Sequence, residues 1–178
     1  DFFWNTILLP AIKLDTVRML KETDLRCKAI ASLDPAYLLS DSGFDAEQGY
    51  LDLLVHPMSK VMSASLNRSG VLFLRLFTSQ RLAATGLAVR LFRLEQGELP
   101  KTLSELVPHY LATVPLDPMA DDRRLVGYHP RSDSPILYSI GENGIDDGGR
   151  DDAETQALAY ETQDIVFFIN GDRPDRRK

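Results

Sequence analysis

Cysteine is almost missing from this sequence. The single one, Cys27, rules out an intramolecular disulfide and any cysteine-based zinc site. Long apolar runs are missing too. No stretch of about 18 apolar residues occurs, so no segment reads as a membrane span. There is no basic excess of the kind that neutralises phosphates, since the formal net charge is −6, and this argues against nucleic acid as a partner. His56, His109 and His129 lie far apart, and none falls in a metal-ligand pattern such as H-E-x-x-H. No glycine-rich phosphate loop follows a candidate strand. Ser139, in Tyr-Ser-Ile-Gly, lacks the leading glycine of a nucleophile elbow. Together these absences lead to the expectation that the chain is not an enzyme.

What is present is ordinary for a folded chain: 178 residues, 44% hydrophobic and 26% charged. That length suits one domain, or a small domain with a helical extension. The sequence opens at Asp1 rather than Met. The expectation is a fragment or a processed product, with room for a signal or anchor upstream. The negative charge is concentrated. Between Gly141 and Glu154 stand Glu142, Asp146, Asp147, Asp151, Asp152 and Glu154, against one base, Arg150.

The chain divides in character near Gly97, with helical patterns before it and short elements with turns after it. Ile12, Thr16, Met19, Leu20, Cys27 and Ile30 recur at spacings near three and four. That spacing predicts an amphipathic helix with Cys27 as a small buried thiol, ending before Asp34-Pro35. A loop at Ser40–Gly43 and a short helix over Asp45–Leu54 follow. Pro57 fits the first turn of a long helix running to Gln96, with an interruption at Ser69-Gly70. Its apolar stripe is Leu72, Leu76, Ala83, Leu87, Leu91 and Leu94, flanked by Phe73, Phe77, Ala84, Ala88 and Phe92. Two readings of the stripe stand. It faces a core, or it lies on a membrane surface with Arg75, Arg81, Arg90 and Arg93 toward headgroups.

Gly97 has the place of a left-handed C-cap. Thr102-Leu-Ser-Glu105 has capping-box spacing for a short helix that Pro108 ends. Strands are expected at Leu125–His129, Pro135–Ile140 and Asp164–Ile169, the first two joined through Pro130–Ser134. The tail from Gly171 to Lys178 is polar. The expected fold class is α+β: a helical N-terminal part, and a long helix packed on a small three-stranded antiparallel sheet. In this reading residues 1–56 form a helical N-terminal region and residues 57–170 the long helix with its head. Residues 171–178 form the tail. Val126, Tyr128, Leu137, Ile140, Val166 and Phe168 are the expected sheet partners of Leu87–Leu94.

The segment Ala88-Val-Arg-Leu-Phe-Arg-Leu-Glu-Gln-Gly-Glu-Leu-Pro100 resembles the end of the long helix of type II secretion major pseudopilins. Tyr110-Leu-Ala-Thr-Val-Pro-Leu-Asp-Pro118, Tyr138-Ser-Ile-Gly-Glu-Asn-Gly144, the acidic glycine loop and Asp164-Ile-Val are similar to that family's following segments, in the same order. The likeness covers about half of the chain, and other helical material precedes it. It implies an exported, non-enzymatic assembly or protein-recognition module, periplasmic or at the cell surface. The module would be tethered to the inner membrane by an anchor outside this sequence. Its implied partners are proteins: further copies or secretion-type components. The likeness also implies Ca²⁺ in the loop after Tyr138–Gly141, yet the family's two carboxylate positions are Ile136 and Asn143 here.

The loop's own composition still suits a hard cation. Asn143, Asp146, Asp147, Asp151 and Asp152 offer oxygens, and Gly144, Gly148 and Gly149 allow sharp turns. The alternative is a solvated acidic loop with no ion. Two other functions stay open: a binding protein using a groove between the N-terminal helices, and a hydrolase working through the acidic loop.

Overall fold

A computed structural model describes residues 9–39, 57–131, 133–149 and 164–171. The chain falls into two compact units, Asp1–Leu74 and Arg75–Lys178. The expected loop at 40–43 and the helix at 45–54 lie outside the described residues, as do residues 172–178 of the tail.

In the first unit, α1 spans Leu9–Ser32 and α2 spans Pro35–Leu38. The two are separated at Asp34-Pro35 as the sequence predicts. The short α2 has no hydrophobic signature. It forms because the Asp34 side chain accepts a hydrogen bond from the Tyr37 N–H at 3.3 Å, with Pro35 in the first turn. The inward face of α1 differs from the predicted one. Asp15, Arg26 and Ala29 are buried, whereas Ile12, Leu20 and Cys27 are exposed. Arg26 lies over the Tyr37 ring, 5.8 Å from its centroid, so an aromatic face takes up a cation that hydropathy assigns to solvent.

The long helix α3 spans Pro57–Gln96 without the interruption expected at Ser69-Gly70. A Cβ at Gly70 would stand 3.0 Å from Leu38 Cδ2. Close packing, rather than a break, accounts for that glycine. At the other end Gly97 takes φ +80° and donates its N–H to the Arg93 carbonyl at 2.9 Å, closing the helix as predicted.

In the second unit, Thr102 precedes a short 3₁₀ helix, Leu103–Leu106, and donates its N–H to Glu105 Oε1 at 3.2 Å. The Val107–Pro108 peptide that follows is cis. Three strands then form one antiparallel sheet in the order β1 (Gly127–His129), β2 (Ile136–Ser139), β3 (Ile165–Phe168). Leu125 makes only an isolated bridge to Leu116. The α+β expectation, with a three-stranded antiparallel sheet, holds.

The core joins Leu82, Ala88 and Val89 of α3 to Leu103, Leu106, Val126, Leu137 and Ile169. Phe92, Tyr128, Ile165 and Phe167 pack against it. Two expectations are corrected by this arrangement. The stripe Leu76, Leu87, Leu91 and Leu94 is exposed, Leu94 to 81%, while Leu74, Thr78, Leu82, Thr85 and Val89 are buried. Thr85 tolerates burial because its hydroxyl donates to the Arg81 carbonyl at 2.8 Å. On β3, the core-facing residues are Ile165 and Phe167, rather than Val166 and Phe168, because the register pairs Leu137 with Phe167 and sides alternate along a strand. Ile140 is buried but stands outside that cluster. Gly86 lets α3 approach the sheet: a Cβ there would stand 2.6 Å from Phe167 Cε1.

Candidate functional site

The chemistry-bearing side chains of the second unit gather around β2 and the loop Gly141–Gly149. Their anchor is Asp117, which ends the Leu-Asp segment and is 3% exposed. Its Oδ1 accepts from the Met119 N–H at 2.9 Å and from Ser139 Oγ at 2.6 Å. Its Oδ2 accepts from the Ile140 N–H at 3.0 Å. One buried carboxylate thus ties the Leu-Asp-Pro segment to the Tyr-Ser-Ile-Gly strand. Ser139 is fully buried and serves as a donor there, a structural role.

Above β2, Tyr138 lies across Gly127, its partner in the β1 register. The His129 ring stacks on Tyr138 with centroids 5.3 Å apart. His129 Nε2 stands 3.2 Å from the Gly148 carbonyl and donates to it. Gly149 has φ +68° and comes so close that a Cβ would stand 2.8 Å from Ile136 Cδ1 and 2.9 Å from Tyr138 Cδ1. Both the backbone angle and the space demand glycine at this position. Burial pushes the Tyr138 hydroxyl's pKa up, and the Asp146 charge adds to it.

The loop is fastened from below by Asp164, 8% exposed at the start of β3. Its Oδ1 accepts from the Asp147 N–H at 3.4 Å and its Oδ2 from the Gly149 N–H at 2.7 Å. Desolvation raises the Asp164 pKa above its ordinary value, and outweighs the opposing pull of those two N–H donors. Two arginines close the edges. Arg75 pairs with Glu142, and Arg124 Nη1 stands 3.4 Å from Asp146 Oδ2. Arg124 also grips Asp122, with Nη2 2.9 Å from Oδ2, and that contact holds the Asp122 carboxyl below its usual range. Between Asp117, Asp122, Arg124, Leu125, Tyr138 and Asp146 opens a cavity of about 420 Å³.

The residues expected to hold a cation are only partly brought together. Asn143 Oδ1 accepts from the Ile145 N–H at 3.1 Å, and Asp146 Oδ1 from the Gly148 N–H at 3.0 Å. Asp147 contributes its backbone N–H to Asp164. Asp151 and Asp152 lie outside the described residues. Among the described residues, no group of three His, Cys, Asp or Glu side chains converges as a metal site would require.

No family model, no curated protein and no solved structure matches this chain.

Sequence patterns missed three contributors. Asp117 and Asp164 stand in segments that the resemblance singles out, yet no motif marks either as a site residue. Arg124 carried no motif. The legible signal is Asp117 followed two residues later by a free backbone donor, Met119, the spacing of an Asx turn. A second cavity, of about 610 Å³, lies at the end of α3 beside Leu91, Phe92, Glu95, Glu105, His109 and Tyr110. There the Tyr110 hydroxyl donates to Glu95, and that bond raises its pKa.

Proposed function

We propose that this chain is a non-enzymatic assembly module whose pseudopilin-like head associates with further copies through the exposed face of α3. The reading places it outside the cytoplasm, tethered to the inner membrane by a segment beyond this sequence. One observation carries it. Leu76, Leu87, Leu91 and Leu94 share one face of the helix and stand in solvent, at 51–81% exposure. Large apolar side chains aligned on one face represent unburied free energy. Each is worth roughly 1.5–3 kcal/mol when fully covered.

The charges favour a protein partner over a membrane surface. Arg75 pairs with Glu142, Arg81 donates to the Leu116 carbonyl, Arg90 to the Ile169 carbonyl and Arg93 to Asn170. All four arginines are thus turned to the chain's own groups, and a headgroup-binding helix needs them free. What is left on that face is mostly leucine, with Gln80 among it, which suits a second copy of the same helix.

The order of elements supports the resemblance as well. A long helix closed by Gly97, a 3₁₀ turn, a Leu-Asp-Pro segment, two strands, an acidic loop and a closing strand occur in the implied sequence. The test is a photo-crosslinking amino acid in place of Leu91 in the full chain. Self-association through α3 predicts a covalent dimer.

A further inference from the structure

The family likeness implies a calcium ion in the acidic loop, but the bonds of this loop run the other way. We infer that the loop Gly141–Gly149 is held in place by a clasp of the protein's own groups, standing where a divalent cation would. The clasp consists of the Asp164 carboxylate, the His129 imidazole and the Arg124 and Arg75 guanidinium groups.

The direction of the backbone decides it. A Ca²⁺ site gathers six to eight oxygens, usually with several carbonyls turned toward the ion. Here the N–H groups are the ones turned toward oxygens. Those of Asp147 and Gly149 converge on Asp164, that of Gly148 on Asp146, and that of Ile145 on Asn143. Backbone amides arranged like this make a receptor for an anion, and the nearly buried Asp164 carboxylate fills it. The Gly148 carbonyl faces His129 Nε2. Two of the loop's three carboxylates meet cations from the chain itself, Glu142 at Arg75 and Asp146 at Arg124.

Ile136 and Asn143 fit this account. The resemblance expects carboxylates at both positions. With Ile136 packed under Gly149 and Asn143 closing a local turn, neither is available as a charged ligand. The clasp does not depend on whether α3 self-associates.

The test follows amide exchange in the full chain, with EDTA and with millimolar Ca²⁺, read at Asp147 and Gly149 by NMR. The clasp predicts that both amides stay protected in EDTA. It also predicts a thermal midpoint that is unchanged between the two conditions. A cation bound at a hundred times its Kd would instead raise the midpoint by about 5–10 °C. Asp164→Asn should speed exchange at both amides at least tenfold in either buffer, and Arg124→Gln should speed it at Gly148. Protection lost in EDTA and restored by Ca²⁺ would overturn the clasp. So would rapid exchange of both amides under both conditions. The wild-type comparison needs no variant to fold.

Discussion

At the end of the Leu-Asp segment, the Asp117 carboxylate accepts three hydrogen bonds while almost wholly buried. Asp117→Ala leaves the Met119 and Ile140 amides and the Ser139 hydroxyl without their acceptor. The expected loss is about 3 kcal/mol or more in urea unfolding, since each stranded buried donor costs roughly 1–3 kcal/mol. Ser139→Ala removes one donor and keeps the other two, so its expected loss is nearer 1 kcal/mol. Both segments were visible in the sequence as separate pieces. The bond that joins them spans 22 residues, and no local pattern carries such a link. Asp164 makes a different prediction, through pH. Its folded pKa is raised, so the native state binds the proton more tightly than the unfolded chain. This group's contribution is therefore fully present below its ordinary value of 3.8 and is lost as pH rises through the raised one. Compared with Asp164→Asn, the wild type should hold a larger stability advantage in acid than at neutral pH. Urea titrations across that range check the sign.

Among the elements, α3 separates what sequence carries from what it does not. Its bounds were legible, because Pro57 suits a first turn and Gly97 can take the left-handed conformation that closes the last. Its buried face was not legible. Leucines occur all round the helix, and the inward set includes Thr78 and Thr85, which a hydropathy pattern counts as polar. A threonine hydroxyl satisfied by its own helix can be buried at little cost, so the pattern pointed to the wrong side. The same holds in α1, where Asp15 and Arg26 face inward. On β3, a strand of four apolar residues has no alternation to read, and only pairing with β2 fixes which ones face the core. The corrected face of α3 has a direct consequence. Leu82→Ala, at 1% exposure, should cost about 2–5 kcal/mol of stability. Leu91→Ala should change it by less than about 0.5 kcal/mol. Chemical denaturation of the two variants side by side distinguishes the faces.

For the whole molecule, the overall class was legible from the order of patterns: helices first, then short strands bounded by glycine and proline. The organisation into two units at Leu74 and Arg75 was not, because the division falls inside a helix that runs unbroken from Pro57 to Gln96. Charge behaves similarly. The sequence marks the acidic loop, but composition alone leaves open whether a cation or the chain itself neutralises it. In the described part the chain supplies Arg75 and Arg124 from elements far away in sequence. What then stands out on the second unit is apolar, the leucine face of α3, and on it rests the proposal that copies assemble. The most direct test compares two positions of the photo-crosslinker in the full chain: Leu91 on that face, and exposed Arg131 beyond β1. Assembly through α3 predicts covalent dimers from position 91 and few or none from position 131, with dimer formation abolished by Leu87→Asp. Equal crosslinking at both positions, or none at position 91 at the highest concentration reached, would contradict it.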